Sequence, residues 1–311
     1  MTNKVLLGLI VILFVSTSVA SANDFGTKVL RVTGSDNVAR FVSVYAKDYM
    51  AEHPGSSIIV VGGRTATGVR DLFEGRAELA MASRRLGPSE YEKAEQNGMK
   101  VAEKQVGWCS IVVVTHPSNP VNELTKAQVA GIFKGEYSNW NAVGGPDRPI
   151  KVIAVEDKHS DPVVFLKENL LGGQPYTRDA TVVSAITTVL PKVLETEGSI
   201  GFCRVTDLEY RERRDSIAGH SASQGGGHGI APKSLPKVLA IRESSGTPAI
   251  TPPTSHKNHA SVAAHAVDSS PYPVRYPLYI YLSGNAAGPL TKEFADYCAK
   301  RGMGRMMSTG H

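Results

Sequence analysis

The feature that most constrains this chain is a repeated order of β-rich run, polar turn and amphipathic helix. Residues 28–32 have the pattern of a short strand, and the turn 33–37 leads into 38–49, where apolar side chains recur at helical spacing. The same order recurs at once in 56–74. This alternation predicts an α/β fold whose loops gather at the carboxyl ends of the strands.

The pattern continues along most of the chain. Further strands are predicted at 79–82, 108–115, 150–155, 200–205 and 276–282. Further helices are predicted at 126–134, 163–171, 181–195 and 290–301. The stretch 211–236 is rich in Gly, Ser and His and has too few apolar residues to order itself, so we predict a flexible surface insertion there.

Composition limits the class of protein and of partner. The 311 residues are 41% hydrophobic, which is enough apolar material for about two domains. Lys and Arg number 34 against 29 Asp and Glu, and no long basic run is present that would follow a phosphodiester backbone. We therefore expect no nucleic-acid partner, whereas a small anion is compatible with the charge.

The first 22 residues have the order of a secretory signal. Lys4 precedes the apolar run 5–15, and the small residues Ala20, Ser21 and Ala22 follow it. The run is too short to span a bilayer, which needs about 20 residues. We predict cleavage near Ala22 and a periplasmic or otherwise exported protein; the alternative is an uncleaved anchor helix.

Cys109, Cys203 and Cys298 are an odd number of cysteines, so at most one intramolecular disulfide can form. Cys109 and Cys203 lie in strand-like runs that neighbouring strands would bring together. Three buried, unpaired thiols are the alternative. No CxxC pair is present, so no zinc site is predicted, and we expect no metal and no cofactor.

Three polar turns each follow a strand and precede a helix. Unpaired backbone N–H groups at a helix N-terminus favour anions, and hydroxyl or amide side chains beside them add donors. The turns supply Ser35, Asp36 and Asn37, then Thr65 and Thr67, then His159, Ser160 and Asp161. The alternative is that Ser35, Asp36, Asn37, Thr67 and Asp161 serve only as helix caps.

An ordered series of motifs runs from about residue 28 to residue 302. It comprises VTGSDNV (32–38), GGRTATGV (62–69), LAMASR (79–84), LT with IFKG and NW (124–140), GSIGF (198–202) and YPLYIY (276–281). Together these motifs resemble the phosphate-binding substrate-binding proteins of ABC transporters. The resemblance implies a type II periplasmic-binding-protein fold, with two α/β lobes joined by two crossing strands and closing on a ligand.

The resemblance also implies boundaries and partners. Lobe I would comprise 23–107 and 276–311, and lobe II would comprise 108–275 with the insertion at about 211–236. The protein would be a monomer that presents phosphate or a related small oxyanion to a membrane permease, without any chemistry on the ligand. The implied ligand-binding positions are Ser35, Asp36, Asn37, Thr65, Thr67, Ser83, Arg84, His159, Ser160 and Asp161.

The sequence departs from the family in the third turn. The arginine of the second lobe falls on Val155 or Glu156, and the Ser-Gly-Thr element falls on 159–161. Guanidinium matches phosphate geometry while carboxylates repel its charge, so this change weakens a phosphate clamp. Arg64, Arg84, Lys158 and His159 are the candidates for compensating positive charge.

These observations leave three functions to compare. The leading hypothesis is an exported solute-binding protein for phosphate or a related oxyanion, with Asp36 as a possible acceptor for a protonated oxyanion. The second is a divergent binding or sensor module with another ligand in the same cleft. The third, a secreted hydrolase that uses Ser160 and His159, lacks a G-x-S-x-G elbow.

Overall fold

The structure is a computed structural model that describes residues 29–208, 235–252 and 271–307. The predicted signal, 1–22, lies outside the described residues, and so does nearly all of the predicted insertion 211–236.

The described elements alternate between strand and helix along most of the chain. The strands are β1 (Val29–Ser35), β2 (Ser57–Gly63), β3 (Leu79–Ala82), β4 (Val101–Thr115), β5 (Glu123–Thr125), β6 (Lys151–Val155), β7 (Thr181–Val183), β8 (Ser199–Arg204), β9 (Lys237–Val238), β10 (Ala240–Arg242) and β11 (Arg275–Ser283). The helices are α1 (Asp36–Glu52), α2 (Thr65–Phe73), α3 (Pro88–Gln96), α4 (Lys126–Lys134), α5 (Asp161–Asn169), α6 (Val189–Glu195) and α7 (Pro289–Met307).

One large sheet organises the molecule. Its strand order is β2-β1-β3-β11-β4-β8-β6-β7, with β9 paired to β4, and β5 and β10 form a separate small sheet. Strands β1, β2 and β3 are parallel, and β6 is parallel to β7 and β8. Parallel neighbours end at the same edge, so the turns after them lie close together.

Strands β4 and β11 join the two halves of this sheet. Strand β4 pairs with β11 as far as Ser110 and then with β8 from Ile111 to Thr115, both antiparallel. Strand β11 also pairs with β3, so it belongs to the first half as well. The predicted α/β architecture with two crossing strands is thereby confirmed.

Local sequence explains why the helices cover the sheet. Helix α1 turns Phe41, Val42 and Tyr45 inward, all nearly inaccessible to solvent, and each such side chain contributes roughly 1.5–3 kcal/mol by burial. Tyr49 on the same face lies edge-on to Phe294 of α7, with ring centroids 5.4 Å apart. The terminal helix is thus held against the first helix by aromatic packing.

One predicted element is wrong in part. Residues 181–195 form strand β7, a short 3-10 turn and then helix α6, whereas a single helix was predicted. Thr181, Val182 and Val183 pair with β6 at the edge of the sheet, because side chains branched at Cβ lose less freedom in a strand than in a helix.

The three cysteines are buried, and none of them forms a disulfide within the described residues. Cys203 is registered against Val112 of β4, three residues beyond Cys109. Of the two alternatives, the structure therefore has three buried thiols without a disulfide, which pack as small core groups. Across the described ranges, no helix combines the length and the apolar character that crossing a membrane requires.

Candidate functional site

Three hydroxyl groups meet where the parallel strands of the first half end. Ser35 is the last residue of β1, Ser83 follows β3, and Thr65 begins α2 just after β2. All three are at most 3% exposed. The Ser35 and Ser83 hydroxyls hydrogen-bond to each other, and the Ser83 backbone N–H donates to Thr65 Oγ1 at 3.1 Å. The three turns therefore form one connected polar cluster.

Glycines allow these turns to approach one another. A Cβ added at Gly68 of α2 would lie 2.5 Å from the Thr33 carbonyl oxygen and 2.6 Å from Gly34 Cα. Gly34 itself has φ +130°, and its Cβ would lie 2.2 Å from the Met81 carbonyl oxygen. A Cβ atom cannot be accommodated at distances this short. Glycine at 34 and 68 therefore allows the start of α2 and the ends of β1 and β3 to come into contact.

The helices that begin at this edge carry no side-chain caps. Ser35, Arg64 and Ser160 occupy the N-cap positions of α1, α2 and α5, and none of them makes a side-chain cap hydrogen bond. By contrast, Thr125 caps α4 with a complete capping box elsewhere in the molecule. The interpretation of the first polar turn as a simple cap is therefore wrong for Ser35, and the first N–H groups of these helices can serve an anion.

Asp161, from the second half, reaches the hydroxyl cluster. Its Oδ2 accepts a hydrogen bond from Thr65 Oγ1 at 2.5 Å, and its Oδ1 lies 3.8 Å from Arg84 Nε. Burial raises the pKa of Asp161, while the Thr65 hydrogen bond and the charge of Arg84 oppose that rise.

Arg84 is held mainly by a carboxylate of its own half. Its two terminal nitrogens donate to Glu90 at 2.7 and 2.9 Å, a bidentate geometry that fixes the guanidinium plane. Burial alone would raise the pKa of Glu90, but hydrogen bonds from Arg84 and from the Gly87 backbone hold it below its ordinary value. The Nε edge of Arg84 faces Asp161.

A second guanidinium, Arg204, enters the site from the end of β8. Its Nη1 donates to Asn37 Oδ1 at 2.9 Å, and its other nitrogens donate to Asp207. The Arg204 and Asp207 side chains are only 14% and 8% exposed. Burial alone would lower the pKa of Arg204, yet the Asp207 pair raises it above its ordinary value, so the group stays charged.

The remaining predicted residues lie farther out. Asp36 is exposed. Its Oδ1 lies close to Gly62 of β2, because a Cβ added at Gly62 would be 2.3 Å from that oxygen. Thr67 and Ser160 are half-buried and His159 is exposed. Within 29–208, no hydrogen bond joins the His159 ring to the Ser160 hydroxyl.

Direct contacts join five of the predicted positions, namely Ser35, Thr65, Ser83, Arg84 and Asp161, and a sixth, Asn37, contacts Arg204. Sequence reasoning missed Arg204, Asp207 and Glu90. The sequence offered one indication of the Arg204 pair. Arg204 lies near the end of an apolar strand-like run, and the acidic residue Asp207 follows three residues later. At the expected arginine position, Val155 is buried in β6 and Glu156 accepts from Lys167 Nζ at 2.7 Å, so neither offers a donor.

Most of the chain matches a known protein family. A family described as the PBP superfamily domain matches residues 18–301, which is most of the chain. The chain belongs to the PBP superfamily.

Relatives of this superfamily member include a protein named for binding phosphate. It is 26% identical over 176 residues to the phosphate-binding protein PstS of Bacillus subtilis, covering 56% of each chain. It is 24% identical over 260 residues to the protein SphX of Synechococcus elongatus, covering 82% of this chain and 68% of the relative. The chain thus spans little more than half the length of the first of these relatives.

Solved structures agree on the fold. An ABC-type phosphate transport receptor from Vibrio cholerae superposes with a TM-score of 0.57 at 23% identity, covering 89% of this chain and 97% of the receptor. A putative phosphate ABC transporter substrate-binding protein from Clostridium perfringens, with bound phosphate, gives a TM-score of 0.56 at 21% identity and the same coverage. At these identities the likeness establishes the type II periplasmic-binding-protein fold of this superfamily member.

Proposed function

We propose that this protein is an exported solute-binding protein that captures inorganic phosphate, or a related small tetrahedral oxyanion, and delivers it to an ABC-type membrane permease. The named relatives that bind phosphate support the ligand class. Lobe I would be 23–107 with 276–311, and lobe II would be 108–275. Binding alone is the proposed activity, with no reaction on the ligand.

The observation that carries this proposal is the cluster of buried hydroxyls at uncapped helix N-termini. Ser35, Thr65 and Ser83 are buried, and neither α1, whose N-cap is Ser35, nor α2, which begins at Thr65, has a side-chain cap hydrogen bond. Fixed N–H and O–H donors aimed at one region recognise an oxyanion without requiring a full neutralising charge. The low-dielectric surroundings strengthen each of those hydrogen bonds.

The guanidinium groups supply positive charge from both halves. Arg84 approaches from the turn after β3, and Arg204 approaches from the end of β8. We propose that Arg204 takes the role that sequence reasoning sought at Val155 or Glu156. A ligand that contacts both halves would favour the closed arrangement of the lobes.

A second candidate function is the divergent binding or sensor module with another ligand. It is favoured by the carboxyl groups at the site, because Glu90, Asp161 and Asp207 accompany the two guanidinium groups. The hydrolase hypothesis has less support, because the exposed His159 makes no hydrogen bond to Ser160 within 29–208.

Equilibrium calorimetry of the mature chain with phosphate, sulfate and other oxyanions tests the proposal. We expect one phosphate per chain with a dissociation constant in the micromolar range or tighter. The Thr65→Val variant removes a buried donor, and Thr181→Val, in the exposed edge strand β7, is the matched control. If natively folded protein binds none of these anions, the proposed ligand is wrong and the second candidate function gains support.

A further inference from the structure

The donors assigned to the oxyanion already hold one acidic side chain of this protein. Asp161 Oδ2 accepts from Thr65 Oγ1 at 2.5 Å, and Oδ1 lies 3.8 Å from Arg84 Nε. The Asp161 side chain is only 18% exposed. A bound oxyanion that used Thr65 and Arg84 would need the same two donors.

Sharing these donors is unfavourable for electrostatic reasons. The charged groups that face the Asp161 carboxyl are Arg84 and Glu90. Both terminal nitrogens of Arg84 are bonded to Glu90, so only its Nε edge is left for Asp161 or for a ligand. An oxyanion beside Asp161 therefore meets like charge at short range, and the repulsion grows in proportion to the ligand's own charge.

Asp161 is also favourably placed for an acid. It begins α5, where the first N–H groups carry partial positive charge and Ser160 provides no side-chain cap. Its carboxylate thus accepts from a hydroxyl donor of the proposed site and belongs to the first turn of a helix whose N-terminus favours negative charge. This is the arrangement expected of a group that stands where an anion binds.

We propose that Asp161 is a specificity-determining residue that competes with the oxyanion for the Thr65 and Arg84 donors, which weakens binding of doubly charged anions more than of singly charged ones. This inference rests on the proposed function and names the ligand property that the same site selects. A neutral side chain at 161 would free the donors and remove the repulsion.

The test compares Asp161→Asn with the natural protein and with Asp157→Asn. Asparagine has nearly the size of aspartate and can still accept from Thr65, but it carries no charge. Asp157 lies in the same turn, and its Oδ1 accepts from the His159 backbone N–H at 2.9 Å, so the control removes a nearby charge that does not touch Thr65. Asp161→Ser is a second neutral variant in case the first folds poorly, and thermal unfolding checks that every protein is native.

Calorimetry at one pH and ionic strength would use phosphate, sulfate and the singly charged tetrahedral anion hypophosphite as probes. We expect Asp161→Asn to bind phosphate and sulfate at least about tenfold more tightly than the natural protein, since each tenfold corresponds to a modest electrostatic difference. The increase in affinity for hypophosphite caused by Asp161→Asn should be clearly smaller. Asp157→Asn should change affinity by less than about threefold, because Asp157 bonds to the His159 backbone and not to Thr65 or Arg84, and salt screens charges that lie farther apart.

The possible outcomes separate this inference from the proposed function. Tighter binding of phosphate and sulfate by Asp161→Asn than by a natural protein that itself binds them measurably supports competition. If the natural protein binds phosphate and the neutral variants at 161 bind it with equal or lower affinity, the inference is overturned and the proposed function stands. Equal gains from Asp157→Asn would also overturn it, because any nearby charge would then act alike. If no native variant binds any of the three anions, the proposed function fails and the inference fails with it.

Discussion

Arg204 and Asn37 are 167 residues apart in the sequence, yet Arg204 Nη1 donates to Asn37 Oδ1 across 2.9 Å. Asn37 lies in the first turn of α1, and Arg204 ends β8 in the other half of the sheet. Together with the bond between Thr65 and Asp161, this contact joins the two halves at the candidate site.

Replacing Arg204 with alanine should destabilise the protein strongly. Asp207 is 8% exposed, and removing its partner leaves a buried carboxylate without compensation, which costs about 3–5 kcal/mol. Arg76→Ala, which breaks exposed pairs with Asp71 and Glu74, should cost no more than about 1 kcal/mol. Urea unfolding measures both free energies, and equal losses would contradict the structural role of Arg204.

The Thr65→Val variant should bind phosphate about 10- to 100-fold more weakly. The hydroxyl is 2% exposed, and a hydrogen bond to a charged group contributes about 1.5–3 kcal/mol. Calorimetry gives the affinity, and Thr181→Val should bind as the natural protein does. Unchanged affinity in Thr65→Val would remove this hydroxyl from the site.

Substitution of Gly68 by alanine should separate α2 from β1. The added Cβ would meet the Thr33 carbonyl oxygen at 2.5 Å, and overpacking of this kind costs about 1–3 kcal/mol. Gly63→Ala is the control, because its nearest contact is the Gly34 carbonyl oxygen at 3.7 Å. We expect Gly68→Ala to lose both stability and phosphate affinity in denaturation and binding assays, and a neutral result would mean that α2 can shift without consequence.

All three cysteines should titrate as free thiols, but only after unfolding. Burial raises the pKa values of Cys203 and Cys298, and a protonated, inaccessible thiol reacts slowly. A colorimetric thiol reagent should detect almost none in native protein and three per chain in denaturant. One thiol per chain in denaturant would instead indicate a disulfide.

Protonation of Asp161 should stabilise the fold as the pH falls. Its pKa in the folded protein is raised by burial, whereas the unfolded value is about 3.9. Between these two values the folded state holds more protons, so acidification favours it. Asp161→Asn lacks this titration, and its stability relative to the natural protein should therefore be greater near neutral pH than near pH 4. Parallel unfolding curves with a constant difference at all pH values would contradict this assignment.

The fold could be predicted from the sequence because its elements have local causes. Strand β3 and helix α4 have the predicted bounds, and β1, β8 and β11 differ from them by only a few residues at either end. The helix α3 and the first half of β4 were missed. Residues 101–105 of β4 are half-buried throughout and include Glu103, Lys104 and Gln105, so no apolar alternation identifies them as a strand.

The site residues could be predicted from the sequence only where they all belong to one half of the sheet. Ser35, Thr65 and Ser83 follow strands that are parallel neighbours, so a polar residue after each strand is enough to predict their meeting. Arg204 was missed because its partner Asn37 depends on the strand order, which no local pattern reveals.

The amino-acid sequence by itself determined the alternation of strands and helices and the polar turns at their carboxyl ends, because hydrophobic period and turn residues act over a few positions. Only the tertiary structure decided that Asp161 accepts a hydrogen bond from Thr65 and that Arg204 donates one to Asn37. Those contacts depend on how β4 and β11 set the two halves against each other, and hydrogen bonds form only when that arrangement brings donor and acceptor within about 3 Å.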